Sequence, residues 1–169
     1  MYPERLILRN FLSFEELDYT FTKQTLGVTG ENRTEEDQLS NGSGKSSLSQ
    51  GLFYAIYGVN LRGKEDKKLI RKGTKEAYTK VEIFCQKRKE TLIIERTIPL
   101  KSSSKVSLTL KKDDTETPVT VATVLDANKY VINWIEIAPE DAKSYYIVTK
   151  GNYCLLYTSP SPRDRTRSR

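Results

Sequence analysis

"VTGENRTEEDQLSNGSGKSSL", residues 28–48, decides how this 169-residue chain is read. It ends on Gly44-Lys45-Ser46, the close of a phosphate-binding loop of the form G-x-x-x-x-G-K-[ST], yet Leu39 stands where the first glycine belongs. A triphosphate site needs backbone N–H groups curled into a nest, glycines that let the backbone approach the phosphates, and a helix N-terminus behind them. Asn41-Gly42-Ser43-Gly44, followed by Lys45-Ser46-Ser47 and an amphipathic stretch, has all three. In this reading Lys45 reaches the β- and γ-phosphates of ATP and the Ser46 hydroxyl ligates Mg²⁺. The missing glycine is then Gly30, at the end of the strand candidate QTLGVTG (24–30), and the loop runs over 30–47. Against the compact spacing G-x-N-G-x-G-K-S, Gly30 and Gly42 are about nine residues too far apart, with the excess placed at about 32–41. Those residues are polar, and loop closure costs only about 0.6 kcal/mol per doubling of length, so the insertion is expected to bulge into solvent. A flexible serine/glycine linker would explain the hexapeptide but not a strand before it and a helix after it.

Working outward, RLILRNF (5–11) and FEELDYTF (14–21) alternate with period two and read as strands. GKSSLSQGLFYAIYG reads as a helix stopped by Gly58, with Leu48, Leu52, Ala55 and Ile56 on its apolar face. Gly51 inside it costs about 1 kcal/mol against alanine, so the helix relies on packing or needs a small residue at a close contact. A basic loop (60–73) leads to two alternating strands around the turn QKRKE within 78–98. KVSLTLKKDDTETPVTV adds a strand, a turn and a short strand. Residues 121–135 read as a helix facing inward through Val121, Val124, Leu125, Asn128, Val131, Ile132 and Ile135. Pro139, Glu140 and Asp141 suit a helix start. The expected class is α/β. A small P-loop kinase remains an alternative, but the β-rich stretch 78–119 departs from its alternating βα units.

Hydrophobic residues make up 37% and charged residues 30%, as in a globular domain. No apolar run approaches the roughly 18 residues of a membrane helix, and MYPERL is charged where a signal peptide is apolar. A cytoplasmic location without membrane contact is expected. Histidine is absent, and Cys85 and Cys154 are the two cysteines, which excludes His-ligated zinc and histidine catalysis. From Cys154 onward, CLLYTSPSPRDRTRSR loses all periodicity and resembles the translation of a sequencing adapter. Residues 154–169 are therefore expected to be a non-native, disordered tail, with a natural basic tail as the alternative. That tail holds four arginines and one aspartate, half of the formal net charge of +6, so the basic balance of 1–153 is weak evidence for nucleic-acid binding.

LILRNFLSFEELDYTF, then TGEN and NGSGKSSLSQGLFYAIYG, then LIRKGTKEAYTKVEIF and LIIERTI resemble the N-terminal lobe of the SMC-like, ABC-class ATPases of DNA double-strand-break repair. The SbcC-type subunit of a nuclease–ATPase complex, in its phage-type form with an inserted P-loop, is the nearest pattern. The resemblance covers nearly all of 1–153 and implies an ABC-type head whose mixed β-sheet has an antiparallel part, with a P-loop helix and flanking helices. It implies ATP and Mg²⁺ as cofactors. As partners it implies the chain's own C-terminal lobe, a second copy joined as an ATP-sandwiched homodimer, a phosphoesterase nuclease subunit, and DNA. An SMC-like structural, DNA-organising ATPase without a nuclease is the second implied reading. The chain has no Walker B strand or signature motif, so it is expected not to turn over ATP alone. Arg62 and Lys64 resemble the segment beside the nucleotide, while Lys67, Lys68, Arg71 and Lys72 are either DNA-facing or an ordinary solvated loop. Lys150 stands at the position of the family's Mg²⁺-binding glutamine, and Leu12 where the family often has a phosphate-contacting arginine. Trp134, Tyr145 and Tyr146 read as packing residues rather than base-stacking platforms.

Overall fold

Period-two alternation becomes a two-faced sheet. The computed structural model describes residues 1–24, 27–29, 44–61, 63, 65–113 and 115–143. Within them β1 (Tyr2–Phe11), β2 (Phe14–Thr20), β3 (Glu76–Cys85), β4 (Glu90–Pro99), β5 (Lys105–Lys112) and β6 (Thr115–Val119) form one sheet ordered β2-β1-β3-β4-β5-β6. All neighbouring strands are antiparallel. Each pair is consecutive in the chain except β1 with β3, which meet only after the chain has run through 12–75.

One face of the sheet is the core. Leu6, Val81, Ile94 and Leu108 stand side by side across β1, β3, β4 and β5, all fully or nearly fully buried. α1 (Lys45–Tyr57) lies over β1, β3 and β4, and α2 (Val124–Ile135) beside it over β5. The opposite face is a ladder of charges. Arg5 pairs with Asp18 at 2.6 Å, Arg9 with Glu16 at 3.1 Å, and Lys80 with both Glu82 and Glu95 at 3.5 Å. Exposed pairs of this kind contribute little to stability. They keep the open face hydrated, and the Arg5 guanidinium holds the Asp18 carboxyl below the usual range.

The helices sit where expected, but both faces differ from the sequence reading. On α1, Leu48, Leu52 and Ile56 are only half-buried, while Gln50, Gly51, Phe53, Tyr54, Ala55 and Tyr57 are buried. The cause is Gly51: a Cβ there would lie 2.5 Å from Leu8 Cδ1, so the helix rolls its bare backbone onto β1 and carries its aromatics inward. On α2, Val131 and Ile135 are buried as expected, but Leu125 is 63% exposed and Ala127 and Trp134 take the inner positions. Thr123 caps this helix by accepting from the Asp126 N–H. Trp134 is a packing residue, its indole N–H donating to Glu90 at 3.1 Å and its ring covered by the Arg88 guanidinium.

Of the expected strand 24–30, Gln24 and Gly27–Thr29 carry no strand pairing, in keeping with the glycine that interrupts them, and the rest lies outside the described residues. The chain divides into two compact units, Met1–Glu136 and Ile137–Arg169. In the second, Pro139–Asp141 forms one helical turn, and the expected boundary at 153/154 is outside the described residues.

Candidate nucleotide-binding site

Gly44 is the N-cap of α1, with φ +86° in the left-handed region. An ideal Cβ on it would stand 2.5 Å from Ser13 Oγ and 3.1 Å from Ser13 Cβ. Both the backbone conformation and the space therefore demand glycine. Among the described residues no side chain caps the helix, and no acid occupies its first turn. The positive dipole end of this helix, which carries Lys45, favours negative charge. Ser46 is exposed, Lys45 and Ser47 are half-buried, and the Ser47 N–H donates to Gly44 O at 2.9 Å.

Beside this end lies a cleft of about 190 Å³, walled by Phe14, Leu17 and Tyr19 of β2, by Val28 and Thr29, and by Lys45 and Leu48. An apolar wall next to a helix N-terminus suits a ligand with a flat organic moiety and a phosphate tail. The sequence reading assigned no role to these β2 residues. Their signal was available: Leu17 and Tyr19 pair with the core residues Leu8 and Leu6, so they continue the apolar face past the edge of α1.

The β1–β2 turn that presses on Gly44 is itself held from behind. Leu12, at φ +50°, donates its N–H to Leu69 O at 2.8 Å, and Arg71 N–H donates to Asn10 O at 2.8 Å. The Arg71 guanidinium reaches Ser13 O at 3.3 Å and Glu15 at 3.5 Å. Arg71 is therefore not part of an open basic loop with Lys67, Lys68 and Lys72. It places a cation at the turn where Leu12 has none.

The far end of α1 is fixed by a residue that the sequence reading passed over. Arg96 of β4, 3% exposed, donates to Ala55 O at 3.0 Å and Ile56 O at 2.9 Å, satisfying carbonyls that the helix end leaves open. Burial pushes this guanidinium down to about 10, against the pull of Tyr54 and Asp66. Tyr54 Oη donates to Asp66 at 3.2 Å, and burial raises the pKa of both groups. Gln50 donates to Asn60 at 2.7 Å, anchoring the start of the segment that carries Arg62 and Lys64.

Of the expected site residues, the structure brings Gly44, Lys45, Ser46 and Ser47 together at the head of α1. Gly30, Asn41, Gly42, Ser43, Arg62, Lys64 and Lys150 lie outside the described residues, as do Tyr145 and Tyr146. Among the described residues no group of three or more acidic, histidine or cysteine side chains gathers to hold a metal, and no helix is long and apolar enough to cross a membrane.

A family model described as an AAA domain matches residues 5–147. The DNA replication and repair protein RecF of Carboxydothermus hydrogenoformans is 32% identical over 98 residues, covering 58% of this chain and 25% of that protein. The DNA double-strand break repair Rad50 ATPase of Thermoplasma volcanium is 31% identical over 104 residues, covering 62% of this chain and 10% of that protein. The chain thus spans a quarter of the one relative and a tenth of the other. A solved structure from work on ATP-driven dimerization and DNA-stimulated activation of SMC ATPases superposes over 98% of this chain and 95% of its own, with a TM-score of 0.67 at 21% identity. The fold is the α/β fold of that SMC ATPase chain, with the sheet antiparallel throughout the described residues rather than built from the βα units of a kinase.

Proposed function

The chain belongs to the AAA domain family, and from that premise we propose that it is the ATP-binding N-terminal half of a cytoplasmic DNA repair or recombination ATPase that works with a nuclease subunit. The observation that carries this reading is the uncapped start of α1 over Gly44, where a Cβ would fill the space held by Ser13. Those residues fit a nucleoside triphosphate with Mg²⁺. Lys45 would neutralise the β- and γ-phosphates, the first-turn N–H groups would donate to phosphate oxygens, and Ser46 would contribute its hydroxyl to the metal. Bound Mg²⁺ would add charge neutralisation to the triphosphate. By sequence, Gly30, Asn41, Gly42 and Ser43 are assigned to the nest and Arg62 and Lys64 to its flank, and the apolar β2 wall would take the nucleoside. Hydrolysis would belong to a head completed by a C-terminal lobe and a second copy, and Lys150 stands in the sequence where the resemblance expects a glutamine. By sequence we assign 1–153 to the lobe and read 154–169 as a non-native tail.

A second reading omits the nuclease. It is favoured by the RecF relative, named for DNA replication and repair. Co-purification of the full-length protein with a phosphoesterase separates the two readings.

ATP binding is tested by thermal unfolding. A ligand at a hundred times its Kd stabilises by about 2.7 kcal/mol, and at about 2–4 °C per kcal/mol for a chain of this size the midpoint rises by roughly 5–10 °C. Lys45→Ala is expected to melt like the parent without ligand and to lose the rise. A retained rise would refute the site.

A further inference from the structure

Leucine seldom takes the left-handed backbone region, yet the β1–β2 turn puts Leu12 there at φ +50°, two residues after Asn10 at φ +51°. Such a conformation persists only where its surroundings hold it. Here the hold comes from one short run of chain, residues 69–71. The Leu12 N–H donates to Leu69 O and the Arg71 N–H to Asn10 O, both at 2.8 Å, and between them Phe11 faces Ile70 in an antiparallel bridge. Phe11 and Leu69 are both buried, so the joint is packed as well as hydrogen-bonded.

The two backbone bonds end at Leu12, and it is the side chain of Arg71 that extends the hold to Ser13. Its Nη1 donates to Ser13 O at 3.3 Å, and its Nη2 lies 3.5 Å from Glu15. The Glu15 side chain is 82% exposed, so that ion pair orients the guanidinium more than it stabilises the fold. The base of the arginine is fixed, because Arg71 O accepts from the Thr74 hydroxyl at 2.8 Å and from the Thr74 N–H at 3.1 Å. Arg71 is half-buried, whereas its neighbours Lys67, Lys68 and Lys72 are exposed. The same run of chain also grips α1 directly, Asn60 accepting from Gln50 and Asp66 from Tyr54. The turn is thereby set in register with the helix whose head it abuts.

We propose that Arg71 is a positioning residue of the nucleotide site, acting through Ser13 rather than on a phosphate, a role that rests on the ATP reading above. Ser13 fills the space into which a Cβ on Gly44 would project, so the place of Ser13 sets the place of Gly44 and of the first turn of α1. Once the guanidinium is removed, a turn with two residues in the left-handed region relaxes, and Gly44, without a side chain, yields with it. The N–H groups at the helix head then meet the phosphates out of line, where hydrogen bonds weaken steeply. The planar fork of arginine serves two acceptors from one plane, while a lysine ammonium reaches one of them as a point charge.

The test is titration of the whole 169-residue chain with N-methylanthraniloyl-ATP and Mg²⁺, beside ligand-free urea unfolding of each variant. Arg71→Gln is expected to weaken binding about tenfold, the size of one charge-assisted hydrogen bond. Arg71→Lys, which keeps a donor for Ser13 O, is expected to recover to within about threefold of the parent. Arg88→Gln is the structural control: it breaks the pair with Glu90 and the bond to Trp134 O at the β3–β4 turn, at the other end of β3 from Arg9 and Tyr78. It should lower the urea midpoint and leave the affinity within about twofold, as expected of a distant site. Parent-like affinity in Arg71→Gln, equal weakening in Arg88→Gln, or an Arg71→Lys protein as weak as Arg71→Gln would each overturn the role of Arg71. Lys45→Ala separates the two levels: if it loses binding while Arg71→Gln keeps it, only the positioning role has failed. If the parent does not bind, or Lys45→Ala binds as the parent does, the nucleotide site fails and the role of Arg71 with it.

Discussion

Gly51→Ala sets two opposing effects against each other in one helix. In an exposed helix interior the change would stabilise by about 1 kcal/mol, because alanine loses less backbone freedom on folding. Here the new methyl would meet Leu8 Cδ1 at 2.5 Å and Cδ2 at 3.0 Å. A leucine tip could ordinarily swing away, but Leu8 is 0% exposed and packed between β2, β3 and the helix. Overpacking of a filled core costs about 1–3 kcal/mol, so the net change is a destabilisation of up to about 2 kcal/mol. Urea unfolding reads it as a lower midpoint at unchanged slope. Leu8→Ala alone should cost about 2–5 kcal/mol. The double variant is expected to be more stable than the sum of the two singles, because the alanine methyl occupies part of the vacated space. A Gly51→Ala protein more stable than the parent, or strict additivity in the double, would refute the close-contact account of why this helix buries the face it does.

Two further outcomes follow from particular contacts. Gly44→Ala must hold φ +86° and displace Ser13, and is expected to destabilise by about 1–2 kcal/mol from the backbone alone and to lose the ATP melting shift; adding Ser13→Gly should return only the part due to the clash, as read by urea unfolding. Burial and the Glu95 carboxylate push the Tyr78 phenol up to about 12. Because the folded value lies above the unfolded one of about 10, this contribution is complete below pH 10 and is lost as pH climbs to about 12. Tyr78→Phe should therefore flatten the alkaline fall in stability between those values, and an unchanged profile would refute it.

What could be read in advance was what short stretches decide by themselves. Gly44-Lys45-Ser46 reads as a phosphate loop because that chemistry is local, and the strands announced themselves through alternation at Leu6 and Leu8 or Leu92, Ile94 and Ile98. The faces of α1 and α2 were misjudged because burial depends on what a helix meets. Leu48, Leu52 and Ile56 form a good apolar stripe, yet Gly51 decides the side of approach. Arg96 lies in phase with Ile94 and Ile98, so its inward direction was in the sequence. Its partners, the carbonyls of Ala55 and Ile56, are some forty residues away and were not. Arg71 was grouped with its lysine neighbours for the same reason: only the fold brings it to Ser13.

The pairing of β1 with β3 also sets an order of events for a chain that has yet to fold. β3 to β6 can zip up as successive hairpins, each closing a short turn, whereas β1 gains its inner neighbour only once the whole of 12–75 has been drawn into a loop. Non-local pairings of this kind are slow steps. The stretch 32–41, which the sequence reads as an insertion, falls within 12–75. Even a doubling of the loop would add about 0.6 kcal/mol to its closure, roughly a threefold change in rate. Length in the phosphate loop is thus a quantity that evolution or an engineer can vary at the expense of folding speed, leaving the register of every strand as it is.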